Sequence, residues 1–306
     1  MRKLASILLL LTATLVYPHL VFAEDAHAQE ILKEARNAIG GEDLLQKIQS
    51  LGIKGEYRRF FGEREMAGDR EVSILLPDKY LVEDAMNPGG LSTAMISTRG
   101  LNGEQAWSGS SGGGGAMVIR MGGPGGQQAT PEQVEAMLRR MHRNEFVRYL
   151  LAILVMPPPS IPVEYKYAGD SDVEGTPADV IDVSGPEKFA VRLFFAKQTH
   201  LPLLLSYRGP KPRVITSFSR SNDKNIKVED GLKHAKEEAE KKLATEPATK
   251  PDEVDFFIRV TEYKKASGLT LPYKLTFLTD ADISEEFQIS KYQVNPQFKP
   301  DRFQKN

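Results

Sequence analysis

From Leu51 to Val294 most of the chain consists of short runs in which β-branched and aromatic residues recur with a period of two, separated by Gly, Pro, Asn and Asp. That pattern is the signature of antiparallel strands joined by hairpins. Such runs occupy 51–61, 70–76, 79–86, Met95 to Thr98 and Gln105 to Ser108, with Leu101-Asn102-Gly103 as a turn. They resume after Ile161 at Val180 to Val183, Val191 to Phe195, Leu203 to Tyr207 and Arg213 to Phe218. The last block alternates through Val254, Phe256, Ile258 and Val260, then continues over Leu269 to Leu278 and Ile283 to Val294. About ten strands in series without a regular βαβ alternation predict an α+β, mainly β chain built on one large antiparallel sheet. With 306 residues, 41% of them hydrophobic, the chain is long enough to bury a sizeable core.

Helices interrupt this pattern at few places. Ile31, Leu32, Ala35, Ala38 and Ile39 have helical spacing and stop at Gly40-Gly41, and a short second helix is expected over Glu42 to Ser50. Thr130-Pro131-Glu132-Gln133 opens another: a Thr cap, Pro in the first turn and Gln three residues after the cap. Its stripe is Val134, Met137, Leu138 and Met141, after which Tyr149 to Met156 is apolar on every side until Pro157-Pro158-Pro159. A helix apolar all round must be surrounded by apolar atoms. Eight such residues reach only about 12 Å, too short for a bilayer. Two readings stay open: a core helix, or a plug and lid over a hydrophobic cavity.

Met1-Arg2-Lys3, the apolar run Leu4 to Leu15 and the step Val21-Phe22-Ala23 read as a secretory signal cleaved after Ala23, leaving a mature domain over 24–306. Loss of Arg2 and Lys3 takes the formal charge from -1 to -3. So nearly balanced a charge gives no field for gathering phosphates, so nucleic acid is not an expected partner. There is no Cys, which removes disulfides, thiolate metal sites, cysteine nucleophiles and a lipid anchor on a cleavage-site cysteine. The glycine-rich stretch Ser108 to Gly126 lacks the Gly-Lys-Ser or Gly-Lys-Thr of a phosphate loop and reads as a mobile hairpin with an apolar centre, Ala116 to Met121. Asp223 to Lys250 is dominated by Lys and Glu, with i,i+4 pairs such as Glu237 and Lys241, and reads as an exposed helical insertion.

Residues suited to catalysis are sparse. His27, His142, His200 and His234 lie far apart, with no His-Glu-x-x-His and no Gly-x-Ser-x-Gly elbow, so no metal or other cofactor is expected. Glu285 and Glu286 point to opposite faces of a strand and cannot act as a direct acid and base pair. Trp107, the single tryptophan, reads as a core residue.

An ordered set of short motifs nevertheless spans residues 30 to 303: Ala38-Ile39-Gly40-Gly41, Leu76-Pro77-Asp78-Lys79-Tyr80, Asn102-Gly103 with Trp107, Thr199-His200-Leu201-Pro202, Gly268 to Tyr273 and Tyr292 to Pro296 with Phe303. This set resembles the lipoprotein-carrier (LolA/LolB-like) group of bacterial envelope proteins, including lipoprotein-sorting members. The resemblance implies a curved antiparallel sheet, an open half barrel whose concave apolar face is covered by helices. It also implies a periplasmic, non-catalytic carrier of the acyl chains of lipids or lipoproteins. Envelope membrane proteins are further candidate partners, and a monomer is expected. Roughly fourteen methylenes at about 0.8 kcal/mol each carry on the order of 10 kcal/mol that a dry cavity must offset. Met117, Ile119, Leu150, Leu151, Ile153 and Leu154 are the expected lining. Two rivals remain: an envelope hydrolase built on His142 or His200, and an interaction protein whose sheet packs permanently on its own helices with no hollow.

Overall fold

The structure, a computed structural model, describes residues 25–62, 64–86, 95–111, 116–120, 130–211, 213–217 and 252–305, with the backbone alone at 116–120 and 213–217. The expected export signal, much of the glycine-rich stretch and the expected Lys/Glu insertion lie outside the described residues. Helix α1 (Ala26–Ile39) starts at Asp25, whose side chain accepts from the amides of His27 and Ala28, both at 3.1 Å. It buries Ala28, Ile31, Leu32, Ala35 and Ile39 along one stripe. Helix α2 (Glu42–Leu45) is shorter than the expected 42–50. The Asn295 side chain accepts from the amides of Gln49 at 2.7 Å and Ser50 at 3.3 Å, which draws the chain out into the first strand.

Strands β1 (Ser50–Phe61), β2 (Arg64–Leu75), β3 (Lys79–Met86), β4 (Met95–Asn102) and β5 (Gln105–Ser111) form one antiparallel meander. β2 begins six residues earlier than hydrophobicity predicts, because the ladder to β1 extends to Phe61 opposite Arg64. After β6 (Ala116–Arg120) comes helix α3 (Pro131–Leu154), followed by β7 (Glu164–Val173), β8 (Thr176–Gly185), β9 (Phe189–Ala196), β10 (Pro202–Pro210) and β11 (Arg213–Ser217). β12 (Glu253–Ala266), β13 (Leu269–Thr279) and β14 (Asp282–Val294) complete the chain. Twelve of these strands make a single open sheet in the order β5-β4-β3-β2-β1-β14-β13-β12-β10-β9-β8-β7. β1 pairs with β14, Leu51 opposite Val294, so the first and last strands meet in mid-sheet. A bulge at Lys54/Gly55 marks this seam, and a Cβ on Gly55 would stand 2.1 Å from the Gln288 carbonyl oxygen. β6 does not fold back as a local hairpin. It pairs with β11, Ile119 opposite Val214, in a separate two-stranded sheet.

The sheet curves into an open half barrel with α1 and α3 against its concave face. Inward residues such as Ile53, Val72, Leu193, Ile258, Leu275 and Phe287 share one buried core with both helices. The outer face carries the C-terminal tail, where Phe303 packs on Leu81 and Trp107. Arg302 there meets Glu71 at 3.1 Å and also pairs with Glu83. Gly100 lies under the indole, and a Cβ on it would meet Trp107 Cζ2 at 2.3 Å. Gly100→Ala should therefore lower stability by about 1–3 kcal/mol through overpacking, read from urea unfolding. Leu151, fully buried on α3, should cost about 2–5 kcal/mol as Leu151→Ala in the same assay.

Candidate functional site

The candidate site is the concave face beneath α3. The helix begins with a full capping box, in which Thr130 accepts from the Gln133 amide at 3.3 Å and Gln133 accepts from the Thr130 amide at 3.0 Å. It ends at Val155, which adopts the left-handed conformation (φ 55°) just before the proline run. Residues up to Met141 are exposed or half-buried, whereas Phe146, Val147 and Tyr149 to Val155 are buried. Four of the expected lining residues, Leu150, Leu151, Ile153 and Leu154, thus lie inside the core that the helix shares with the concave face. Met117 and Ile119 stand on β6, opposite Thr216 and Val214, in the separate small sheet. Arg36 of α1 donates to the Val155 carbonyl at 3.2 Å and ties the two helices together.

At the other end of this apolar segment the inner face turns polar. Arg70 grips Asp84 with two hydrogen bonds, Nε to Oδ1 at 2.5 Å and Nη2 to Oδ2 at 2.9 Å, and both side chains are 1% exposed. Arg99 donates to Asp84 at 2.9 Å and, through Nε, to both oxygens of Glu145 on α3 at 2.9 and 3.1 Å. Glu285 accepts from Arg59 at 3.0 Å and from Arg70 at 3.3 Å. The guanidinium of Arg70 lies 3.6 Å from the centroid of the Tyr57 ring and donates to the Tyr149 hydroxyl at 3.4 Å. Among the described residues, Arg59, Arg70 and Arg99 therefore face Asp84, Glu145 and Glu285. Burial pushes the Asp84, Glu145 and Glu285 carboxyls up, but the arginines reverse this and hold all three below the usual range. Among the described residues, the buried phenols Tyr57 and Tyr80 find no hydrogen-bond partner for their hydroxyls, although Tyr80 stacks on Phe146 at 5.5 Å.

Of these charged residues only Glu285 drew notice in the sequence, and only as half of an excluded acid and base pair. The available signal was register: Arg70 lies two residues before inward Val72, Asp84 between Val82 and Met86, and Glu285 two before Phe287. Glu285 and Glu286 do part to opposite faces, Glu286 meeting Lys274 at 3.0 Å. The two histidines of the hydrolase reading have separate surroundings. His142 is buried, donating from Nδ1 to the Gly100 carbonyl at 2.9 Å and accepting at Nε2 from the Ser108 hydroxyl at 3.1 Å. It acts as a neutral pin between α3 and strands β4 and β5. His200 is half-buried and faces Glu34 of α1 at 3.2 Å. A cleft of about 470 Å³ opens on the outer face, lined by Leu81, Trp107, Phe298 and Lys299. No helix among the described residues is long and apolar enough to cross a membrane.

Burial holds His142 below the ordinary histidine range, against the opposing pull of Glu145. The unfolded chain therefore takes up this proton first. Its contribution is complete above pH of about 6.5 and is lost as pH falls toward the depressed value. His142→Asn, which keeps a donor for Gly100, should flatten the stability profile below about pH 6.5 relative to wild type in urea unfolding.

No family model and no curated protein matches the chain. Among solved structures, it is similar to a LolA superfamily protein from Nitrosomonas europaea, at 8% identity over 91% of this chain and 97% of that one, with a TM-score of 0.44. A DUF1329 family protein from Desulfovibrio piger is similar at 8% identity, covering 90% and 97%, with a TM-score of 0.43. A domain described as outer membrane lipoprotein-sorting, from Vibrio parahaemolyticus, is similar at 10% identity, covering 90% and 97%, with a TM-score of 0.43.

Proposed function

We propose that this protein is a non-catalytic carrier, exported to the periplasm, that shelters acyl chains of lipids or lipoproteins on the concave face of its sheet. In the closed state α3 fills that face. The guest binds where the apolar end of the helix lies, after the helix has moved aside. One observation carries this reading: beneath an otherwise apolar helix end, the sheet keeps three arginines, their carboxylates and two unpartnered phenols. In a permanently packed core, replacing a buried ion network by apolar side chains of similar volume often costs no stability, and buried unpaired hydroxyls are rare. A face that must release a helix and accept a guest has reason to keep both.

A second reading is favoured by the solid packing of Leu150 to Leu154: the sheet and α3 never separate and the protein serves only as an interaction surface. The two differ in one measurement. Native mass spectrometry after gentle purification should show co-purified lipid, and N-phenyl-1-naphthylamine should gain fluorescence saturably with one site per chain. A clean apo mass together with no fluorescence gain contradicts the carrier.

A further inference from the structure

The segment of α3 that occupies the concave face has the chemical layout of an amphiphile. Its head is the Glu145 carboxylate, clasped at both oxygens by the guanidinium of Arg99. Its tail runs from Phe146 to Leu154, nine residues or about 13 Å of helix, with all but Arg148 buried. Arg148 lies instead over the Tyr207 ring, 4.0 Å from its centroid. The two ends of the segment are thus held by different chemistry: charge at the head, apolar contact along the tail.

Removal of that segment changes the charge balance of the face. Among the described residues, Arg70 and Arg99 then share Asp84, with Arg70 also reaching Glu285, because Glu145 leaves with its helix. Arg70 remains saturated by its bidentate grip on Asp84, so the vacancy falls on Arg99, which loses its two-oxygen partner. Beside it stands Tyr80, fully buried, its ring 5.5 Å from Phe146 and its hydroxyl unpartnered even in the closed state. That hydroxyl lies within the electrostatic reach of both Glu145 and Arg99. A planar oxyanion matches the guanidinium fork, and such charge-assisted bonds are the stronger ones.

We infer that the guest is a single-chain amphiphile with an oxyanion head, a fatty-acid carboxylate or a monoalkyl phosphate, whose head takes the place of Glu145 on Arg99 while its chain replaces Phe146 to Leu154. This rests on the carrier reading and narrows it: neutral and cationic amphiphiles of the same chain length fit the tail but not the head. Glu145 is accordingly an internal competitor, and α3 a tethered stand-in for the ligand.

The test is displacement of N-phenyl-1-naphthylamine from the full mature chain by dodecanoate, dodecyl phosphate, dodecanol and dodecyltrimethylammonium at neutral pH. Dodecanoate or dodecyl phosphate should displace the dye at a concentration about ten-fold or more below that of dodecanol, equivalent to about 1.4 kcal/mol, and the tighter of the two identifies the head. Glu145→Gln weakens the competitor without removing its hydrogen bonding, and should tighten dodecanoate and dodecanol binding alike, because both need α3 to leave, while the preference for the anion persists. Arg99→Gln alone leaves Glu145 without its cation and risks misfolding. The double variant Arg99→Gln/Glu145→Gln removes both partners and should erase the preference for the anion while retaining dodecanol. Equal displacement by dodecanoate and dodecanol in wild type, with the dye bound, overturns the head-group assignment and leaves the carrier intact. Absence of any dye binding overturns both.

Discussion

The contact between Arg99 on β4 and Glu145 on α3 decides how helix and sheet relate. Without it, the helix end would be one more apolar element in an apolar core, fixed by burial alone. With it, the position of α3 is coupled to a chain of charges: Arg99 shares Asp84 with Arg70, and Arg70 reaches Glu285 and the hydroxyl of Tyr149. The pair is not sealed, since Arg99 is 18% and Glu145 23% exposed. Partial access to water lowers the penalty of separating the two charges, whereas Arg70 and Asp84 beneath them, at 1% exposed, are held for good. The network thus has a fixed floor and a separable upper rung.

Energetics favour exchange over simple opening. Lifting the apolar end of α3 from the sheet exposes both surfaces, at about 25 cal/mol for each Å² returned to water, and an empty hollow adds the loss of packing contacts. An acyl chain entering as the helix leaves replaces most of that burial. The two closed states are then close in free energy, and modest differences in head-group chemistry can shift the population between them. The tether at the far end, Arg36 on the Val155 carbonyl, keeps α3 attached to α1 at its C-terminus.

Much of the architecture was legible from the sequence because it depends on local rules. Period-two runs marked nearly every strand of the sheet, the capping box at Thr130 marked the start of α3, and the proline run marked its end. Strand length was not local: β2 is prolonged by its ladder to β1, and α2 is cut short by the Asn295 side chain. β6 read as half of a local hairpin, yet its partner β11 lies about a hundred residues further on, a pairing that no local pattern encodes. The polar site was hidden for a different reason. Arg70, Asp84, Arg99 and Glu285 look like ordinary solvated strand residues until the register places them all on the inner face, and Glu145 looks like the polar end of an amphipathic helix. Histidine drew attention in the sequence by its chemistry, but His142 turned out to serve as a pin between helix and strands.

The central claim is that α3 leaves the concave face when a guest arrives, and hydrogen–deuterium exchange at the amides of Phe146 to Leu154 tests it most directly. Displacement predicts that these amides are strongly protected in the empty protein and exchange faster once dodecanoate saturates it, while the core strands β1 and β14 stay protected. Unchanged or increased protection of that segment in the saturated protein contradicts it.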